Sequence, residues 1–586
     1  MKIHFLYIIL LAFLFVSCEE MEFEENPKAE VSKEPVFNTE DGLQTYAYSF
    51  YDVLPSVDDI IRGDGMSDYM ASNSRYEYLS DSYGPNRSSG WDWGQLRNVN
   101  YFIENNTSEE IDSDMRNHYT GLARFFRAMF YFDKVKRFGD VPWIAEVPDV
   151  NDDDILYAER DSRALVMDSV LADIDFAIEN IDRDNDDSKT RITKWVALAL
   201  KSRIALFEGT FRKYHTDQGL ESSADSWFEE SADAAQEIME NSGYQLYTGS
   251  GPEHSYRELF TSTDPVGEEI MLAHVMSEEE DILHSANWSY TSPTLWIKPS
   301  LTRQFIKTYL LRNGERFTDQ QNYETQIFPE EVADRDYRLK QTIRGRDYTR
   351  VDGGEVVPAP PDFGVSLTGY QPIKWVLDDT YYDQRDYNDN AVSIFRYAEV
   401  LLNYAEAKAE LGTLTEEDWE NTIGALRSRA GIEQEDEQFP PSEDEYMQST
   451  YFPEVEDPIL LEIRRERSIE LVMEGFRFYD LVRWGQGELM EMKWRGIYVP
   501  ELDEPMDLNQ DGQDDVVFVE EGTDASLDGG EVVEVGGESQ QLTEETYGEL
   551  TWLDNVPRIW EDKKYFYPIP EDDILENENL DQNPGW

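Results

Sequence analysis

Residues 462–484 read Glu462-Ile463-Arg464-Arg465-Glu466-Arg467-Ser468-Ile469-Glu470-Leu471 and then, two residues on, Glu474-Gly475-Phe476-Arg477-Phe478-Tyr479-Asp480-Leu481-Val482-Arg483-Trp484. Glu462, Glu466 and Glu470 recur every fourth residue, which places them on one face of a helix. Ile463 and Ile469 fall beside them on the side expected to be buried. Arg467 precedes Glu470 by three residues, so the spacing predicts an ion pair along the helix. Two chemistries fit the stretch. Glu466 and Glu470 could form an acid/base pair, or the charges could form a structural network that locks adjoining helices.

Outward from this stretch, apolar residues recur at three-to-four spacing over most of the chain. The pattern predicts helices over Gly42–Leu54, Gln95–Asn105, Tyr119–Phe138, Arg163–Ile181, Lys194–Phe207 and Asp225–Glu240. It returns at Phe395–Leu411, Glu416–Ala430 and Pro458–Trp484. Several helices come in pairs joined by short turns, as where Tyr404-Ala405-Glu406-Ala407 leads through Gly412 to Trp419 and Leu426, with Gly431 as a stop. Such pairs resemble tetratricopeptide repeats, although no clean 34-residue period emerges. Between 244 and 394 the pattern loosens into loops rich in Gly, Pro, Thr and aromatics. Residues 496–557 contain no Lys or Arg, and Val516–Val519 and Glu531–Val535 there read as strands of surface hairpins.

Further motifs follow one order. Gly121 to Trp143 includes Phe126-Arg127-Ala128, Tyr131-Phe132 and Phe138-Gly139-Asp140-Val141-Pro142. Arg191-Ile192-Thr193-Lys194, Arg335-Asp336-Tyr337-Arg338-Leu339, Arg396-Tyr397-Ala398-Glu399-Val400-Leu401-Leu402 and Arg427-Ser428-Arg429-Ala430-Gly431 come next. The chain ends on Tyr565-Phe566-Tyr567-Pro568-Ile569-Pro570 and Gln582-Asn583-Pro584-Gly585-Trp586. With the 462–484 stretch, these motifs resemble the SusD/RagB family from about residue 40 to the end. Ser468, where a second Arg or Lys is common, and the lengthened acidic stretch near 501–556 depart from the family pattern. The resemblance implies a mainly α fold: a SusD-like helical scaffold of tetratricopeptide-like helix pairs, with an irregular loop-rich region and short β-hairpins. It also implies that the 462–484 motifs are scaffold and do not touch ligand.

The N-terminus carries a second kind of information. Lys2 is followed by twelve unbroken apolar residues, Phe5 to Val16, then Ser17 and Cys18, the single cysteine of 586 residues. The apolar run is shorter than the roughly 20 residues a membrane span needs, so it reads as a secretory signal. A lone cysteine just past it reads as a lipobox, with Cys18 the lipidated residue. The expected organisation is a signal peptide at 1–17, a lipidated acidic tether at 18–40 and a SusD-like domain at 41–586. Within that domain, helical repeats cover about 41–243 and 395–484, the loop-rich region about 244–394, and an acidic insert about 496–557. With one cysteine there is no internal disulfide to staple the exported chain.

Charge narrows the partners. Lys and Arg number 51 against 123 Asp and Glu, a net charge of −72. Phosphate backbones would repel this chain, and no basic stripe offsets that, so no nucleic acid is expected. The six histidines form no zinc motif, and no phosphate-binding glycine loop is present. Paired acids are so frequent that their number says nothing for or against a secreted glycoside hydrolase.

Ligand residues are expected where helical pattern fails. Asp68, Tyr69, Arg75, Tyr76, Tyr78, Tyr83, Trp91 and Trp93 form one aromatic cluster; Asn287, Trp288, Tyr290 and Trp296 form another. Aromatic rings offer flat apolar faces to the C–H side of a sugar. The resemblance places family glycan sites in such loops, with Asp68, Arg75 and Trp91 matching an acid, an Arg and a Trp in similar order. Trp91 and Trp93 also open the next helix, where they could pack inward. The expected ligand set is Asp68, Arg75, Tyr83, Trp91, Trp288, Tyr290 and Trp296. The resemblance further implies an outer-membrane, cell-surface lipoprotein that captures an oligosaccharide and passes it to a TonB-dependent (SusC-like) transporter, without catalysis; a peptide ligand is the variant within the family. Finally, Asp507-Leu508-Asn509-Gln510-Asp511-Gly512 is the first half of an EF-hand-like loop, but Phe518 stands at the twelfth position. Asp507, Asn509, Asp511 and Asp515 are the expected ligands of a structural Ca2+, the one cofactor suggested; otherwise the segment is a solvated acidic turn.

Overall fold

The structure is a computed structural model and describes residues 33–149, 151–295, 297–433 and 439–586. Cys18, the signal peptide, most of the tether and Trp296 lie outside the described residues.

Side-chain caps start the long helices where the periodicity begins. Asp112, Ser162 and Thr193 accept from the backbone N–H groups of Asp114, Leu165 and Val196, opening the helices Ser113–Phe138, Arg163–Asn180 and Lys194–Tyr214. These helices stack in chain order. Ser113–Phe138 packs on Arg163–Asn180, which meets Lys194–Tyr214, which lies along Ala224–Asn241. Gly209 permits that last approach, since a Cβ there would sit 2.8 Å from the Phe228 ring. The stack then skips the loop-rich region and resumes with Tyr397–Glu410 and Pro458–Glu470. Buried pairs rivet it: Arg127 to Asp173 at 2.6 and 2.8 Å, Arg163 to Glu208, and Arg203 to Glu399. The expected helix pairs and loop-rich middle are therefore both present, in a mainly helical scaffold. No helix among the described residues is long and apolar enough to cross a membrane.

Glu470 lies at the centre, fully buried, facing Arg396 at 2.6 Å, Arg338 at 2.8 Å and Arg429. Glu466 binds Arg338 and Arg427, Glu462 binds Arg427, and Glu269 joins Arg396 to Arg429. Burial alone would raise the Glu470 pKa, but Arg429, Arg396 and Arg338 outweigh it and hold the carboxyl well below its usual range. A carboxylate so held is no general acid, so the 462–484 charges form the structural network.

Several expectations change at the level of detail. Arg467 does not pair with Glu470; it turns to Asp480 at 2.9 Å and Asn403 at 2.9 Å, because three other arginines already surround Glu470. The helix expected over Pro458–Trp484 is two helices, Pro458–Glu470 and Arg477–Arg483. Between them Met473 and Gly475 adopt positive φ, and Gly475 lets the chain pass against Gly63, whose Cβ would lie 2.6 Å from the Gly475 Cα. Phe395 opens no helix; it belongs to strand Val392–Arg396, antiparallel to Ile270–His274. The Glu416–Ala430 helix carries a π turn at Glu420–Gly424. Strands Val516–Glu520 and Glu531–Val535 exist but run parallel, so they are not a hairpin. Nor is the first on the surface, since Phe518 is buried edge-on against Phe363. Thr349–Asp352 and Glu355–Pro358 do form a hairpin.

Candidate functional site

The first expected cluster disperses. Asp68 is buried and held by the Arg477 guanidinium through two bonds of 2.7 Å, so it is committed to the core and does not face a ligand. Sequence gave it no visible partner because Arg477 lies 409 residues away. Arg75 is half-buried and donates to the Pro557 carbonyl at 2.6 Å. Tyr83 packs edge-on against Tyr78, Tyr567 and Trp586, within the C-terminal aromatic cluster. Trp91 meets Trp93 at 5.3 Å and Phe138 at 5.0 Å, both edge-on, and Trp93 packs inward on Phe130 and Tyr131. With Tyr157, Asp573 and Asn577 these two rings line a shallow cleft of about 190 Å³.

The second cluster holds together in part. Tyr290 is buried, its hydroxyl donating to the Ile61 carbonyl, so it is a core residue and not a contact residue. Trp288, on the short helix Ala286–Thr291, is half-buried and has the Arg385 guanidinium 5.8 Å from its ring centre. Arg385 belongs to the loop at 377–390, which also carries Tyr381, Tyr382 and Tyr387. Tyr381 is 55% exposed and packs edge-on against Tyr382 at 5.2 Å and Tyr387 at 5.3 Å. Exposed aromatic faces beside a guanidinium and several carboxylates make a surface that can stack on a ring and bond its hydroxyls.

Buried amides fix this platform. Asn287, a member of the second sequence cluster, points inward. It donates to the Leu377 carbonyl at 2.8 Å and to Asp383 at 3.1 Å, and accepts from the Leu377 N–H and the Asn388 amide at 2.7 Å each. Asp383 takes two bonds of 2.7 Å from Arg350. His284 pairs with Asn388 through the backbone and sets its Nε2 2.9 Å from the Asn390 carbonyl. Burial pushes the His284 pKa down to about 4, so the ring is neutral at pH 7. Tyr381, Tyr382, Tyr387 and Arg385 were missed from sequence. The available sign was three tyrosines within seven residues of a polar, non-periodic segment.

At the acidic turn, Asp507 accepts from the Gly512 and Asp511 N–H groups at 2.8 and 3.3 Å, and Asp515 accepts from the Leu508 N–H at 2.7 Å. Burial, then Asp507 and Asp511, raise the Asp515 pKa. Among the described residues no group of three or more His, Cys, Asp and Glu is placed to hold a metal ion. Asp507 and Asp515 thus accept from the turn's own backbone amides.

Residues 273–586 match the family model described as the SusD family, and residues 65–206 match one described as starch-binding associating with outer membrane. Similar curated proteins include the SusD-like protein P25 of Formosa agariphila, 22% identical over 81% of this chain and 89% of that protein. A SusD-like protein of Bacteroides ovatus is 22% identical over 100% and 98%. Among solved structures, a SusD-like carbohydrate binding protein from Bacteroides fragilis superposes with a TM-score of 0.67 at 19% identity, over 94% of this chain and 100% of that one. A laminarin binding SusD-like protein gives 0.55 at 18%, over 93% and 99%.

Proposed function

The chain belongs to the SusD family, and on that premise we propose that it is a cell-surface lipoprotein, anchored through Cys18, that binds an oligosaccharide and delivers it to a TonB-dependent outer-membrane transporter. The observation that carries the binding step is the platform of Trp288, Tyr381, Tyr382 and Tyr387, partly exposed and braced from below by Asn287. The similarity to SusD-like proteins described as carbohydrate binding and laminarin binding supports a glycan as the ligand class. The family description of outer-membrane association supports the location.

The physics sets the affinity. Burying apolar area is worth about 25 cal/mol per Å², so each stacked ring contributes on the order of 1–3 kcal/mol gross. Loss of translational and rotational freedom on association takes back several kcal/mol. A platform of two or three rings thus binds in the micromolar to millimolar range, which suits a surface that must release its cargo. Titration of the soluble 19–586 protein with a panel of neutral oligosaccharides and peptides tests the assignment. Saturable glycan binding that falls at least tenfold in Trp288→Ala and Tyr381→Ala is expected. New reducing ends would instead mark a glycoside hydrolase, and peptide binding alone would mark a different cargo.

A further inference from the structure

A recess of about 560 Å³ opens where the start of helix Arg163–Asn180 meets the end of Lys194–Tyr214 and the C-terminal residues. Arg160, Arg163, His215, Tyr565 and Asn583 line it, and it shares no residue with the platform of Trp288 and Tyr381.

Its guanidiniums are short of counter-charge. Arg160 is half-buried and uses only Nη1, which donates to the Asn583 side-chain carbonyl at 2.7 Å and the Asp140 backbone carbonyl at 3.5 Å. Its Nε and Nη2 have no partner among the described residues. That is the edge by which Arg127 holds Asp173, and Arg477 holds Asp68, through paired bonds. Burial lowers the Arg160 pKa, and Asp140 and Asp581 restore only part of it. Behind it, Arg163 and Arg212 share one carboxylate, Glu208, at 2.7 and 2.8 Å. Both are buried, and each keeps one terminal nitrogen without a hydrogen-bond partner, a rare state for buried groups. Carboxylates outnumber Lys and Arg by 123 to 51, so a shortage of acids does not explain three guanidiniums with one carboxylate between them. The other charges of the recess are spent or exposed. Lys563 pairs with Glu561 at 3.1 Å, Asp140 accepts from the Arg163 backbone N–H at 2.7 Å, and Asp217 and Asp562 stand in solvent.

The chemistry then selects the guest. A guanidinium edge with two N–H groups pairs best with a carboxylate or sulfate, whose oxygens accept two parallel bonds. An apolar cavity of roughly 150 Å³ holds one benzene ring, so this volume admits on the order of twenty heavy atoms. The chain's net charge of −72 repels polyanions, which favours a guest bearing few charges. We propose that the recess binds a small organic anion, of at most disaccharide size, seating its carboxylate or sulfate group on the Nε–Nη2 edge of Arg160. The site stands independently of the glycan assigned to the platform.

Calorimetry on the 19–586 protein at physiological salt, with D-glucuronate, D-glucose 6-sulfate, sodium sulfate and D-glucose as probes, tests the inference. At least one organic anion should bind saturably at one site, and D-glucose should not bind there. Arg160→Gln should weaken the anion at least tenfold, as for a lost charge-assisted pair. Arg160→Lys, which keeps the charge without the fork, should retain part of the affinity, and Tyr381→Ala should leave it unchanged. His215 gives a second readout. Its pKa is pushed down to about 4 by burial and, in part, by Arg163, so a bound anion should raise its NMR titration midpoint. Absence of saturable binding by both organic anions would overturn the proposal, even if sodium sulfate bound. Unchanged anion affinity in Arg160→Gln, or an equal affinity for D-glucose, would do the same.

Discussion

Replacing Glu470 by Gln keeps the shape of the buried side chain and removes its charge. In the native protein this carboxylate faces three guanidiniums, with Arg396 at 2.6 Å, Arg338 at 2.8 Å and Arg429 alongside. One unit-charge pair 4 Å apart is worth about 4 kcal/mol at an effective dielectric near 20, before desolvation is counted. Gln would return one acceptor and turn an N–H₂ group toward cations. Glu466, Glu269, Glu474 and Asp336 still neutralise part of the excess. The net loss should be that of breaking a buried pair, about 3–5 kcal/mol. Unfolding entropy near 2.1 cal/mol/K per residue gives roughly 1.2 kcal/mol per kelvin for this length. The melting temperature should therefore fall by about 2.5–4 °C. Adding Arg429→Met to Glu470→Gln removes one stranded cation and should recover part of the loss. Because the folded pKa is depressed, the carboxylate's contribution is complete above the unfolded value and is lost only as pH falls through the lowered one. The wild-type-to-mutant difference should accordingly stay flat from pH 7 to 5 when followed by calorimetry. A drop under about 1 °C, or no rescue by Arg429→Met, would refute the view of this network as the structural centre.

Other outcomes follow from the platform and the acidic turn. Asn287→Ala strands the Leu377 N–H and the Asn388 amide, so about 2–4 kcal/mol of local stability should go. Limited proteolysis should then cut between Asp378 and Asn388, and an uncut loop would contradict the bracing role. His284 and His215 are both held neutral by burial, with pKa values pushed down to about 4. The unfolded chain takes up these protons near pH 6.5 and the folded one does not, so stability should fall progressively between pH 6.5 and 4. Asn substitutions at both sites should flatten that decline in urea titrations; an unchanged slope would exclude them as its source. We also propose that the Asp507–Asp515 turn takes Ca2+: calorimetry should give heat in the wild type that disappears in Asp511→Ala, and equal heats would leave it a turn closed by its own amides.

What sequence could show followed the range of each interaction. Helices such as Arg163–Asn180 were readable almost to the residue, because their periodicity and the Ser162 cap are local signals. The break at Met473 and Gly475 was not, since it is imposed by close approach to Gly63, far earlier in the chain. Asp68 looked like a ligand residue only while Arg477 was out of sight. Tyr290 and Asn287 stood in the right loop but face inward, and alternation along a six-residue helix is too short to tell the sides apart. Tyr381 and Tyr387 carry no periodic mark at all; only the folded loop sets their rings together. Parallel pairing of Val516–Glu520 with Glu531–Val535 was hidden because intervening glycines suit a hairpin equally well.

The same long-range pairs impose an order on biosynthesis. Asp68 and Arg477 are 409 residues apart, so at roughly 5–20 residues per second the ribosome separates their appearance by about 20–80 s. Glu269, Arg338, Arg396 and Arg429 likewise wait for Glu470. Until the last fifth or so of the chain is made, the earlier helices can collapse but carry charges with no place to be buried. Such high contact order makes folding slow and largely post-translational, and the nascent protein remains unlocked until its closing helix arrives.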